Sequence, residues 1–216
     1  MKVGIIGSGD VAQALGRGFA SRGHDVMLGS REPNSEKLEG WKKKTSGKVA
    51  TGTVLQAARH GEVVVLSVHG KAAEAAIEAA GRENLEGKLV IDTTNPLEMS
   101  KGFPPGLFVG VTDSLGERVQ KMLPRSHVVK AFNTIASIQM VDPKFPASSS
   151  PPMMICGNDA KAKTQVDGIV RSFGWSGTLD LGGIEMSRWM EALVPLWVTA
   201  GRKLGTWHHV AEWVHP

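Results

Sequence analysis

Residues 2–6, Lys-Val-Gly-Ile-Ile, form a short β-branched run. After the polar break at Gly7-Ser8-Gly9-Asp10, the apolar residues Val11, Ala12, Leu15, Phe19 and Ala20 recur at helical spacing. That change of period predicts strand, tight turn, helix. Apolar runs at 24–28, 62–68 and 88–92 predict three further strands, with an Ala-rich helix over 72–80 between the last two. Residues 127–132 and 153–156 read as two more buried strands. An amphipathic helix is expected over 158–174, through Ala162, Val166, Ile169, Val170 and Phe173, and the sheet is expected to continue through 178–181. Strands alternating with helices at these intervals predict an α/β fold built on a parallel, doubly wound sheet.

Between the last two helical patterns lies a Pro- and Ser-rich piece, 142–152, which reads as a linker or mobile loop. From 184 to 204, the residues Met186, Trp189, Met190, Leu193, Leu196, Trp197, Ala200 and Leu204 fall on one helical face, with Pro195 expected to kink it. Five of the six Trp lie beyond Gly174. Such a stripe reads as a helix capping the sheet or as a dimer surface; the other reading is an aromatic wall over a flat ligand. The expected organisation is therefore a cofactor domain over 1–141 and a smaller C-terminal portion over 142–216, which continues the sheet and ends in this helix.

Composition narrows the class. A chain of 216 residues with 41% apolar and 21% charged residues can bury a full core and resembles neither a disordered nor a fibrous protein. No apolar stretch approaches the roughly 18 residues of a spanning helix, so no membrane partner is expected. No secretory segment is visible at the N-terminus and Cys156 is the only thiol, which together point to the cytoplasm and exclude an internal disulfide. The chain has no Tyr, so the Tyr–Lys acid/base chemistry of short-chain dehydrogenases is excluded.

The chemistry sits in the turns. Gly7-x-Gly9-x-x-Ala12 follows a strand and opens a helix, the setting in which such a motif binds a dinucleotide and which makes the fold Rossmann-type. Gly7 permits the turn, Gly9 lets the backbone approach a diphosphate, and Ala12 keeps helix and strand close. About 20 residues further on, where an NAD site carries a carboxylate, this chain has Ser30-Arg31, a hydroxyl and a guanidinium suited to the 2′-phosphate of NADP(H). The loops at Ser67-Val68-His69-Gly70, Thr93-Thr94-Asn95-Pro96 and Ala131-Phe132-Asn133-Thr134 end strands at the same edge and could hold the nicotinamide. His69 is a candidate acid, and Asn133 a candidate partner for the carboxamide. No metal-ligand spacing and no nucleophile elbow is present. Lys42-Lys43-Lys44 lacks interleaved aromatics and reads as a solvated run, so no nucleic acid is expected.

The segments Gly7–Val11, Gly29–Arg31, Asp92–Leu97, Val129–Thr134 and Leu181–Trp197 resemble the coenzyme F420-dependent NADP oxidoreductase family over nearly the whole chain. The same stretches, with Val68-His69, Cys156–Asp159, Lys161, Lys163 and Pro195–Trp197, are similar to the cytosolic reductase domain of the STEAP metalloreductases. The resemblance implies a hydride passed between NADPH and the stacked ring of a deazaflavin (coenzyme F420) or flavin, a small-molecule ring acceptor; a homodimer is expected separately, from the Trp-rich C-terminal region. It implies that Gly7, Ser8, Gly9, Asp10 and Val11 hold the diphosphate and Ser30 and Arg31 the 2′-phosphate. Val68, His69, Asn95, Pro96, Ala131, Phe132 and Asn133 would hold the nicotinamide end. An NADP(H)-binding sensor without turnover, or a reductase of a small imine, remains an open alternative.

Overall fold

The computed structural model describes residues 1–146 and 149–212. Ala147 and Ser148 of the Pro- and Ser-rich piece, and Trp213 among the C-terminal Trp, lie outside the described residues. Eight strands form one sheet: β1 (Lys2–Ile6), β2 (Asp25–Gly29), β3 (Val49–Gly52), β4 (Val63–Leu66), β5 (Leu89–Asp92), β8 (His127–Lys130), β9 (Met153–Gly157) and β10 (Thr178–Asp180), in the order β10-β9-β8-β5-β4-β1-β2-β3. A small hairpin, β6 (Leu97–Glu98) with β7 (Gly106–Leu107), stands beyond the end of β5. The fold is the expected Rossmann-type α/β fold, with one refinement. β8 and β9 pair antiparallel, whereas β9 and β10 pair parallel. The segment joining β8 to β9 carries only the short turn Ser137–Gln139, and without a crossover helix the chain can re-enter the sheet only in the opposite sense.

The central strands are buried on both faces, which is why they read as unbroken apolar runs. Val63, Val65, Leu89, Ile91 and Val129 face one core, shared with α1 (Asp10–Ser21), α2 (Glu36–Lys44) and α6 (Ala160–Ser172). Val64, Leu66, Val90 and Val128 face the other, under α3 (Val54–His60), α4 (Ala73–Ala80), α5 (Leu115–Met122) and the start of α7 (Ser187–Leu204). Phe19 and Phe173 meet edge-on at 4.9 Å and join α1 to α6 across the first core.

The periodic pattern passes over α2, β3, α3 and α5. α2 buries only Leu38 and Trp41 of its nine residues, and α3 is a seven-residue helix defined by the Thr53–Gln56 capping box more than by amphipathicity. α7 differs more instructively. Trp189, Leu196 and Leu204 from its apolar stripe are exposed, whereas the buried face consists of Ser187, Met190, Glu191, Val194 and Gly201. Two polar residues belong to that face, so a count of apolar positions mislocates it. The described part of 142–152 holds neither helix nor strand but is anchored: Asp142 N–H donates to Phe173 O at 2.8 Å, and Arg22 pairs with the Asp142 carboxylate at 2.5 Å. Among the described residues, no helix is long and apolar enough to cross a membrane.

β1 lies so close to α3 that a Cβ at Gly4 would overlap the Ala57 carbonyl, whereas a Cβ at Gly40, inside α2, would meet nothing. Gly4→Ala is expected to destabilise the protein by about 1–3 kcal/mol through overpacking. Gly40→Ala should stabilise it by about 0.5–1 kcal/mol through helix propensity. Urea unfolding of both variants measures the contrast.

Candidate functional site

The sheet order reverses between β1 and β4, and the carboxyl ends of these strands open the crevice where ligands of such sheets bind. Gly7 sits at that point with φ 134°. Its N–H donates to Gly29 O at 2.9 Å, and a Cβ there would overlap the Ser67 carbonyl. No other residue adopts this turn without moving a strand. Gly9 is the N-cap of α1, is exposed, and a Cβ on it would meet nothing within 4 Å. The space before the helix N-terminus is thus open, and the free first-turn N–H groups and the positive end of the dipole face it. Gln13 Nε2 donates to Ser8 O at 3.0 Å and holds the loop from behind. Val11 is half-buried, and Ala12 is fully buried beneath it. These residues fit a dinucleotide diphosphate.

At the end of β2, Ser30 N–H donates to Gly52 O at 2.9 Å, and Ser30 Oγ accepts from Glu32 N–H at 3.1 Å. Ser30 Oγ also lies 3.4 Å from Ser8 Oγ, so the two candidate phosphate loops touch. Arg31 and Glu32 are exposed. Lys37, which the sequence reading passes over, reaches back from the first turn of α2 to within 3.6 Å of Asp10 Oδ1 at the start of α1. It offsets the Asp10 carboxylate at the N-terminus of α1. Its signal was the Leu38/Trp41 spacing after Ser35, which places Lys37 in a helical first turn; Trp41 Nε1 then ties α2 to α1 by donating to Gln13 O at 3.1 Å.

The three remaining loops converge on the same edge. Val68 is half-buried and His69 exposed; the His69 carbonyl accepts from Ala72 N–H at 2.8 Å. Gly70 packs so tightly on the Asn95 carbonyl that a Cβ would overlap it. Pro96 is buried, and so are Ala131, Phe132 and Asn133. The Phe132 ring belongs to the core, 6.1 Å from Phe173, so what Phe132 offers the edge is backbone, held at φ 60°, a strained conformation for a bulky residue. Asn95 and Asn133 form a reciprocal pair: Asn95 Nδ2 donates to Asn133 O at 2.7 Å, and Asn133 Nδ2 donates to Asn95 Oδ1 at 3.1 Å and to Met190 O on α7 at 2.9 Å. Both amide hydrogens of Asn133 are thereby used. Its Oδ1 is a buried acceptor without a partner among the described residues, which fits a ligand N–H donor such as a carboxamide. Trp197, the centre of the aromatic-wall reading, already stacks on His209 at 4.7 Å and 16°.

Away from this edge, the recess lined by Glu74, Glu78, Arg82, Arg118 and Lys121 is a charged groove between α4 and α5 and holds none of the expected site residues.

Two of the converging loops are clamped by an ion pair, Lys71 to Glu98 at 2.6 Å, which joins the turn after His69 to the hairpin after Pro96. The lysine and the Ser100 N–H lower the Glu98 carboxyl to about 2. A depressed carboxyl contributes stability above its unfolded value, near 4.5, and loses it as pH falls through the folded value. The hairpin amides are therefore expected to lose hydrogen-exchange protection between pH 4.5 and about 2, and a Glu98→Gln variant should show no such step.

The family model for "NADP oxidoreductase coenzyme F420-dependent" matches residues 2–96. The chain is 31% identical over 207 residues to the F420-dependent NADP reductase of Methanocaldococcus jannaschii, covering 91% of this chain and 90% of that one. It is 30% identical to the metalloreductase STEAP3 of Rattus norvegicus over 91% of its own length, but spans only 38% of that protein. Among solved structures, a protein of Arthrobacter sp. FB24, provisionally named an F420-dependent NADP-reductase, superposes with a TM-score of 0.94 at 35% identity over 100% of both chains.

Proposed function

The chain belongs to the coenzyme F420-dependent NADP oxidoreductase family and is an NADP-dependent oxidoreductase; we propose that its hydride partner is the flat ring of a deazaflavin of the F420 type or of a flavin. The acceptor is suggested by the F420-dependent NADP reductase relative; the observation that carries the cofactor's placement is the order of features along one sheet edge. An open helix N-terminus at Gly9 is flanked by Ser30, Arg31 and Lys37 on one side and by the unpartnered Asn133 Oδ1 on the other. An NADP(H) laid along that edge has its diphosphate on Gly7–Val11, its 2′-phosphate against Ser30 and Arg31, and its carboxamide N–H on Asn133 Oδ1.

Bound NADPH supplies the hydride. The residues of this chain orient the ring and exclude water; in such a transfer the reacting atoms must approach to about 3–3.5 Å with their planes aligned. His69 is exposed at this edge, but ring-to-ring transfer needs no side-chain acid. Val68, Asn95, Pro96 and the backbone of Ala131 and Phe132 would hold the nicotinamide and shield it from water. The rat metalloreductase relative extends well beyond the region shared with this chain, so its full activity does not transfer here.

Mixing the protein with NADPH and coenzyme F420, FMN or FAD in turn, and following the loss of reduced-nicotinamide absorbance, tests the proposal. Oxidation is expected with at least one ring acceptor. NADPH binding without turnover across all three would sink it and favour a sensor. Independently, Arg31→Ala is expected to weaken NADPH by about 1.5–3 kcal/mol, the size of a charge-assisted bond, and leave NADH nearly unchanged. Equal loss for the two cofactors would remove Arg31 from the 2′-phosphate site.

A further inference from the structure

Beneath the nicotinamide end of the edge lies a group of charges that the reaction as described does not use. Lys130, the last residue of β8, is completely buried, as are Asp92 at the end of β5 and Glu191 on α7. The ammonium lies 2.8 Å from Asp92 Oδ2 and 3.0 Å from Glu191 Oε1, and donates to the Thr94 carbonyl at 2.8 Å. Burial alone would push the lysine down, but the two carboxylates outweigh it and hold the ammonium above its ordinary value. Glu191 also accepts the N–H groups of Leu115 and Gly116, both at 2.9 Å, at the start of α5. Asp92 Oδ1 accepts from Thr94 N–H at 2.9 Å and Thr94 Oγ1 at 2.6 Å. The lysine stem passes close over Gly116, where a Cβ would come within 2.9 Å of Lys130 Cε.

Taking three charges out of water is costly, and replacing such a group with neutral residues of similar volume is often neutral or stabilising. Fold stability is therefore a weak reason for its presence. Its contacts suggest a stronger one. Asp92 and Lys130 grip the Thr94 peptide, the unit just before Asn95. Glu191 fixes the turn of α7 whose preceding residue, Met190, takes the second amide hydrogen of Asn133. Both ends of the Asn95–Asn133 pair are thus tied to one ammonium, and the pair in turn aims the single free acceptor, Asn133 Oδ1.

We propose that Asp92, Lys130 and Glu191 are positioning residues for hydride transfer: the ion cluster fixes the Asn95–Asn133 amide pair and through it the orientation of the nicotinamide ring. The proposal rests on the reading of this edge as the nicotinamide site.

The test measures the binding of NADPH and of 2′,5′-ADP, which carries the adenosine end but no nicotinamide, to the wild type, to Glu191→Gln and to the uncharged triple variant Asp92→Asn/Lys130→Met/Glu191→Gln. The triple variant serves if the single one melts too low. Wild type should bind NADPH more tightly than 2′,5′-ADP. The variants should hold 2′,5′-ADP within about twofold and lose roughly tenfold in NADPH affinity, the size of one lost hydrogen bond. Equal loss of both probes, unchanged NADPH binding in a folded variant, or failure of both variants to fold would overturn the proposal and leave the cofactor site standing. A wild type that binds the two probes equally would overturn the nicotinamide reading itself, and this proposal with it.

Discussion

The buried ammonium of Lys130 is the constraint on which the carboxyl edge of the sheet depends. Among the described residues it is the one cation facing two buried carboxylates from different elements, and in a low-dielectric interior those charges cannot separate without a large penalty. β5, β8, the start of α5 and the first turns of α7 are therefore held in one relative arrangement. Cys156 lies at the border of this group, 3.3 Å from Ser187 Oγ, and burial pushes its thiol up to about 11. It is a packed side chain with little thiolate, not a redox centre.

A second set of contacts is built by close approach instead of charge. Gly4, Gly7 and Gly70 each sit where a side chain would strike a carbonyl oxygen, so β1, α3, the end of β4 and the loop after β5 are drawn together by backbone contact. The outcome is an asymmetric site. The end at Gly9, Ser30 and Arg31 is open to water and made of N–H groups and surface cations. The end at Pro96, Ala131, Phe132 and Asn133 is buried and polar in only a few fixed places. That division suits a cofactor with an anionic tail and a reactive ring that must be kept dry.

The Gly9 end of the edge was legible in the chain because its determinants are local. Gly7, Gly9 and Ala12 act within one turn, and Ser30-Arg31 follows directly from the end of β2. Lys37 was missed because its helix buries only two apolar residues and gives little periodic signal. The loops after β4, β5 and β8 follow from the strand-end rule, but nothing local distinguishes the buried ring of Phe132 from the half-buried Asn95. Lys130 and Glu191 did leave a trace, as a cation inside the apolar run 127–132 and a carboxylate inside the apolar stripe of α7. Pairing two such residues 61 positions apart requires knowing which helix lies on which strand.

By itself, the sequence determined the class of the fold, the strand–turn–helix at Gly7–Ala12 and the Ser30-Arg31 pair at the end of β2, since each follows from periodicity and turn chemistry over a few residues. Tertiary structure decided what depends on contacts between distant segments. These are the antiparallel return of β9, the polar buried face of α7, the reach of Lys37 to Asp10, and the orientation of the Asn133 amide. The physical reason is common to all four. Hydrogen bonds and ion pairs are satisfied by proximity in space, and only a folded core brings Asp92, Lys130 and Glu191 within 3.0 Å of one another's partner atoms.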